Sequence, residues 1–172
     1  AWKTMLERHD GPAGIALSRQ NLPVFERGDG AAEGNTFASA SNTRFGAYVL
    51  AEAPGGTPDA IVIATGSEVQ LAVQAREQLA AQGVNVRVVA APCLEWFDEQ
   101  DADYRESVLP ASVTARVSVE AGLALGWSKY IGANGRSVSI EHFGASADYQ
   151  TLFREFGITT EAVVAAVRET LV

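Results

Sequence analysis

The stretch Ala60-Ile61-Val62-Ile63-Ala64-Thr65-Gly66-Ser67-Glu68, read together with Val84-Asn85-Val86-Arg87-Val88-Val89-Ala90 further on, decides the fold. The run from Ala60 to Ala64 is apolar at every position, which predicts a central strand buried on both faces. Thr65 and Glu68 stand at the Thr-x-x-Glu spacing of a capping box, so a helix is expected to open there. Val69, Ala72, Val73, Leu79 and Ala80 fall on one face of that helix, and Gly83 supplies its stop. A second buried strand over residues 84–90 then completes a right-handed β-α-β crossover with two parallel strands.

Upstream, Tyr48-Val49-Leu50 suits a strand that returns through Pro54-Gly55-Gly56-Thr57-Pro58 into residues 60–65, so an antiparallel hairpin is expected. Downstream the spacing predicts a short acidic helix over 96–106, a strand over 113–120, a helical stretch over 123–130 and a strand over 137–141. Tyr149, Leu152, Phe153 and Phe156, then Val163, Val164, Val167 and Leu171, mark two amphipathic helices. The expected fold class is α/β: a three-layer α/β/α domain with a mixed five-stranded sheet, four strands parallel and one antiparallel.

Ahead of this body, residues 1–9 read as a helix stopped by Asp10-Gly11-Pro12, and residues 13–18 as a strand. From Gly28 to about Arg44 the chain is mostly Gly, Ala, Ser, Asn and Thr, which is linker chemistry. The expected organisation is a leader over 1–28, a linker over 29–45 and a self-sufficient body over 46–172.

Composition narrows the classes of function. The 172 residues carry 13 basic and 21 acidic side chains, a net charge of −8, and are 47% hydrophobic, so the chain can bury a core and is not disordered. The acidic balance argues against nucleic acid as a partner, since neutralising phosphates needs a basic face. No apolar run approaches the roughly 20 residues that cross a bilayer, so no membrane partner is expected. A single cysteine, Cys93, offers no internal disulfide, and a cytoplasmic setting is expected. The chain opens on Ala1-Trp2-Lys3 without an initiator Met and reads as a piece of something longer.

Five places invite chemistry. Gly28-Asp29-Gly30 has the look of a diphosphate-metal motif, but no apolar strand precedes it and residues 55–58 lack the Asn ligand, so no metal ligand is expected there. Cys93, His142 and Glu141 follow predicted strands and form a candidate nucleophile set, against which a lone Cys reads as a small buried hydrophobe. The acids between Glu95 and Glu106 read as a solvated helix face; counted from Asp101, an EF-hand fails with Arg105 at the fifth position. Thr65-Gly66-Ser67 puts backbone donors at a helix start, where an anion could sit, although Glu68 would repel it. Arg19 is the strongest candidate. Ser18, Gln20 and Asn21 flank it with hydrogen-bonding groups, and its guanidinium fork matches phosphate oxygens. The competing reading is a surface arginine paired with Glu26 or Asp10.

Ala16-Leu17-Ser18-Arg19-Gln20-Asn21-Leu22-Pro23 closely resembles a segment near the end of the middle, pyrimidine-binding domain of transketolases. The resemblance continues, in the family's order, through Ile63-Ala64-Thr65-Gly66-Ser67-Glu68-Val69, Tyr104-Arg105-Glu106-Ser107-Val108-Leu109-Pro110, Val119-Glu120-Ala121-Gly122 and Phe143-Gly144-Ala145-Ser146. It implies that residues 1–28 close the middle domain and 46–172 form the C-terminal domain. It further implies a cytoplasmic homodimeric transferase of the pentose phosphate pathway, using thiamin diphosphate and a divalent cation (Mg or Ca). Such an enzyme moves a two-carbon ketol unit from a ketose phosphate to an aldose phosphate. Arg19 matches the arginine that binds the sugar phosphate. No catalytic, cofactor or metal residue of the family falls in this stretch, so the isolated chain is expected to bind no cofactor and to be inactive. Two other readings compete. One is a small-molecule regulatory or interaction domain of a deoxyxylulose phosphate synthase or 2-oxo acid dehydrogenase type, with its site at Thr65-Gly66-Ser67. The other is a hydrolase built on Cys93 and His142.

Overall fold

A computed structural model of the chain describes residues 1–28 and 37–172. Helix α1 (Trp2–Glu7) ends at Arg8, and the residues expected as a strand over 13–18 form none, because no described strand lies beside them to complete a ladder. Two short elements bracket the undescribed residues: β1 (Arg27–Gly28) pairs in parallel with β2 (Phe37–Ala38), and a 3-10 turn follows over Ala40–Phe45. Gly28-Asp29-Gly30 lies outside the described residues from Asp29 onward.

The body contains β3 (Tyr48–Ala51), β4 (Ala60–Ala64), α2 (Val69–Ala80), β5 (Val86–Ala90), α3 (Leu94–Asp98), α4 (Ala102–Val108), β6 (Arg116–Val119), α5 (Ser128–Ile131), β7 (Arg136–Val138), α6 (Tyr149–Glu155) and α7 (Thr160–Thr170). Its five strands lie in the order β3-β5-β4-β6-β7, with β4 parallel to β5 and β6, β6 parallel to β7, and β3 antiparallel. The mixed sheet of four parallel strands and one antiparallel strand is therefore as expected, but the hairpin is not. β3 pairs with β5, Tyr48 opposite Ala90, rather than with the β4 that follows it. Both edges of β4 are occupied by β5 and β6, so the chain between Glu52 and Asp59 carries it past β5 instead of turning back on itself.

Alternation along β4 assigns the layers. Ala60, Val62 and Ala64 face one core with Ala72 and Leu79 of α2 and Val163 and Val167 of α7. Ile61 and Ile63 face a second core with Phe97 of α3, Val108 of α4, and Tyr130 and Ile131 of α5. Helices thus cover both faces, and the fold is three-layer α/β/α. The single acidic helix expected over 96–106 is split: α3 ends at Glu99, and Asp101 restarts the chain as α4 by accepting from the Tyr104 N–H at 2.7 Å.

Candidate functional site

Because β4, β5 and β6 run parallel, their carboxyl ends open on one edge of the sheet. β4 leads into Thr65-Gly66-Ser67-Glu68, β5 into Ala91-Pro92-Cys93, and β6 into Glu120-Ala121. From β4 the chain goes first to β5 on one side and then to β6 on the other, so the crevice between the ends of β4 and β6 is the topological switch point where doubly wound sheets take ligands. The leader crosses this edge and completes a cleft of about 1000 Å³, bounded by Ser67, Glu68, Trp96, Glu120 and Phe153 on the body and by the chain from Gly11 to Ser18.

Glu68 dominates the floor. The capping box does not form, since neither Thr65 nor Glu68 makes a side-chain cap, and Gly66 to Glu68 wind into a 3-10 turn with the Glu68 N–H donating to the Thr65 carbonyl at 3.2 Å. The Glu68 side chain turns inward instead, 5% exposed, and accepts from the Ser67 hydroxyl. Burial pushes its carboxyl above the ordinary carboxylate range. The Ser67 hydroxyl and the Ala121 N–H act in the opposite sense, and the nearby Glu120 charge adds to the rise. Glu120 in turn accepts from Trp127 Nε1 at 2.8 Å. A carboxylate therefore sits where an anion at Thr65-Gly66-Ser67 would have to approach, and the turn is not an anion cradle.

The other candidates divide sharply. Cys93 and His142 are not brought together: the thiol lies 3.5 Å from Glu95 Oε2, while the imidazole pairs with the Phe143 carbonyl at 2.8 Å and packs edge-on against Phe156. Glu141 accepts from the Ala124 N–H at 2.9 Å. Burial pushes the Cys93 thiol up, contrary to what a nucleophile needs. The acids of α3 and α4 do structural work. Asp98 meets Lys129 Nζ at 2.7 Å and Tyr130 Oη at 2.9 Å, and Glu106 accepts from the Ala111 N–H. Among the described residues no group of His, Cys, Asp and Glu converges as a metal site.

Arg19 lies exposed in the loop that follows α1. Asp10, one of its two proposed partners, is taken by Arg8 at 2.9 Å, and no ion pair joins Arg19 to Glu26. Every other arginine is held: Arg27 by Tyr48 Oη, Arg44 over the Phe45 ring, Arg76 and Arg87 by Glu52, Arg116 by four carbonyls, and the rest by comparable contacts. Among the arginines of the described residues, Arg19 alone has neither a hydrogen-bond partner nor an aromatic ring beneath it.

Arg8 was not among the candidates. It donates to both carboxylate oxygens of Glu99, at 3.0 and 2.8 Å, and lies over the Trp96 ring at 5.1 Å. Its partner is 91 positions away, so no local spacing could have marked it.

Residues 46–159 match the family model described as the transketolase-like TK C-terminal domain. The chain is 52% identical over 178 residues to the transketolase of Mycobacterium leprae, covering 99% of this chain and 24% of that protein. It is 52% identical over 171 residues to transketolase 1 of Escherichia coli, with the same coverage. The chain thus spans about a quarter of the length of the curated relatives it matches. Among solved structures, a transketolase from Leishmania mexicana superposes with a TM-score of 0.71 at 43% identity, over 78% of this chain and 19% of that one. A transketolase from Pichia stipitis in complex with sedoheptulose 7-phosphate gives 0.75 at 36% identity, over 89% and 20%.

Proposed function

Since this chain belongs to the transketolase family and carries its C-terminal domain, we propose that it is the C-terminal part of an enzyme that moves a two-carbon ketol unit from a ketose phosphate to an aldose phosphate. Residues 1–28 are the end of the middle domain, 29–45 a linker and 46–172 the C-terminal domain, a division supported by the start of the family match at residue 46. Likeness to transketolases covers the leader as well as the body, which leaves the synthase and dehydrogenase readings without support.

In this reading Arg19 grips the terminal phosphate of the sugar. The observation that carries it is the isolation of that side chain: an exposed guanidinium, flanked by Ser18 and Gln20, in a chain where the other arginines are engaged. Its fork can donate two parallel hydrogen bonds to a phosphate. Thiamin diphosphate and a divalent cation belong to the whole homodimeric enzyme, where they supply the bond-breaking chemistry. The described residues offer no convergent ligand set for that pair; in this reading its ligands come from the rest of the enzyme, and the isolated chain is inactive. No described helix is long and apolar enough to cross a membrane. In this reading the enzyme is cytoplasmic and acts on small sugar phosphates.

The test is Arg19→Ala in the whole enzyme. Loss of a charge-assisted bond of about 1.5 to 3 kcal/mol lowers kcat/KM for phosphorylated substrates roughly tenfold to a hundredfold, and leaves unphosphorylated acceptors nearly unaffected. Equal losses for both would refute the phosphate role. Turnover of xylulose 5-phosphate with ribose 5-phosphate by purified chain 1–172 would refute its inactivity.

A further inference from the structure

α5 closes on Gly132, and the chain from Gly132 to Gly135 turns into β7 with the Gly135 N–H donating to the Gly132 carbonyl at 3.3 Å. Asn134 stands exposed in this turn, and Asn134-Gly135 is the one Asn-Gly pair in the sequence. A Cβ on Gly135 would fall 2.5 Å from Ile131 Cβ and 2.6 Å from its carbonyl oxygen, so the packing of α5 admits no side chain there. No Cβ therefore hinders the Gly135 nitrogen from reaching Asn134 Cγ.

Arg136, the first residue of β7, folds back over the turn. Its Nη1 donates to the Asn134 carbonyl at 3.3 Å and to the Gly135 carbonyl at 3.0 Å, while its Nε meets Glu169 of α7 at 3.2 Å. The Asn134 carbonyl and the Gly135 N–H belong to one peptide unit. A guanidinium that donates to that carbonyl draws electron density from the unit and stabilises its deprotonated form, in which the nitrogen is a nucleophile. The bond that the N–H itself makes, at 3.3 Å, is long and readily given up.

We propose that Asn134-Gly135 is a site of self-modification, at which Arg136 promotes conversion of the Asn134 amide to aspartate and isoaspartate. The Gly135 nitrogen loses its proton to water and bonds to Asn134 Cγ; the Cγ–Nδ2 bond breaks, and Nδ2 takes a proton from water and leaves as ammonia, closing a succinimide ring. Water then opens the ring at Cγ, giving aspartate, or at the backbone carbonyl, giving isoaspartate with the chain routed through the side chain. Water is the co-reactant in both steps, and nothing is oxidised or reduced. Either product sets a carboxylate beside Arg136, where it competes with Glu169 for the guanidinium. Isoaspartate also lengthens the backbone by a methylene just before β7, whose register on β6 begins with Arg136 opposite Val117.

The experiment ages the whole enzyme at neutral and at mildly alkaline pH and follows each asparagine by peptide mass mapping, with isoaspartate counted by enzymatic methylation. Asn134 is expected to lose its amide well before Asn42 and Asn85, which precede Thr43 and Val86, and to lose it faster at the higher pH. The Arg136 side chain is 47% exposed, so its substitution disturbs no core contact. Arg136→Met is expected to slow the conversion roughly fivefold, the scale of one exposed charge contact, and Arg136→Lys to keep part of the rate. An arginine that merely stiffened the turn would have the opposite effect when removed, since a looser turn reaches the ring-closing geometry more often. Loss at Asn134 no faster than at Asn42 or Asn85 overturns the site, as does an Asn134 that keeps its amide in the whole enzyme. An Arg136→Met enzyme that converts as fast as its parent, or faster, overturns the role of Arg136.

Discussion

Glu52 holds the Arg87 guanidinium through two parallel hydrogen bonds, Nε to Oε1 at 2.9 Å and Nη2 to Oε2 at 2.8 Å. Glu52 follows the edge strand β3 and Arg87 lies within β5, so the fork stitches the antiparallel strand to its neighbour. The remaining Arg87 nitrogen donates to the carbonyls of Ser107 and Val108 at 2.8 and 3.1 Å, tying the same side chain to α4.

Removing either partner leaves a charge with little water around it, because the Arg87 side chain is 10% exposed and that of Glu52 31%. Glu52→Gln is therefore expected to cost about 2 to 4 kcal/mol, and Arg87→Met at least as much, since it also orphans two carbonyls. Urea unfolding checks this; a cost within about 0.5 kcal/mol for both would show the fork to be incidental.

Gly46 and Gly83 share a left-handed backbone, with φ of +80° and +81°, yet their surroundings differ. A Cβ on Gly46 would overlap the Phe97 nitrogen and the Cys93 carbonyl, while one on Gly83 meets nothing within 4 Å. Gly83→Ala should cost only the conformational strain, about 1 to 2 kcal/mol, whereas Gly46→Ala should cost more than about 4 kcal/mol. Thermal melts of the two variants should separate widely, and similar melting temperatures would contradict the close approach at Gly46.

Glu68 gives a pH dependence with a definite sign. Its carboxyl lies above the ordinary value of 4.5 in the folded chain, chiefly through burial, so folding disfavours the charge. Stability from this group is full below the unfolded value, falls as pH rises through the folded value, and is flat above it. Glu68→Gln should accordingly be more stabilising at about pH 7 than at about pH 4. A variant whose melting temperature differs from the parent by the same amount at both pH values would refute the assignment.

Cys93 should label slowly. Burial first, and Glu95 beside it, hold the thiol above its ordinary 9.0, so the alkylation rate should rise with pH to a midpoint beyond that of a free thiol, and Glu95→Gln should lower the midpoint. A midpoint near neutrality would instead revive a reactive cysteine.

How far the site could be read in advance follows from the range of the interactions. Arg19 could be proposed from the sequence because its neighbours Ser18, Gln20 and Asn21 are adjacent in the chain. Glu68 was legible as a helix-start residue but not as a buried acid, because the groups it meets beyond its own turn, the Ala121 N–H and the Glu120 charge, arrive more than fifty positions later. The pairing of Arg8 with Glu99 left no trace in either local stretch. Cys93 and His142 looked alike as residues after strands, and only the packing of Phe156 on the imidazole and of Glu95 by the thiol separates them.

Residues 60–64 and 86–90 are apolar enough to demand burial on both faces, and the spacing of Val163, Val164 and Val167 demands a helix against a sheet, so layers and element types were already set by composition and period. Which strand lies beside which was not, because a backbone hydrogen-bond edge is the same whatever the side chains, and β3 could meet β4 or β5 equally well by pattern. The choice fell to the assembled core, where β4 has both edges filled by parallel partners and β3 finds its place only outside β5, locked there by the Glu52–Arg87 fork.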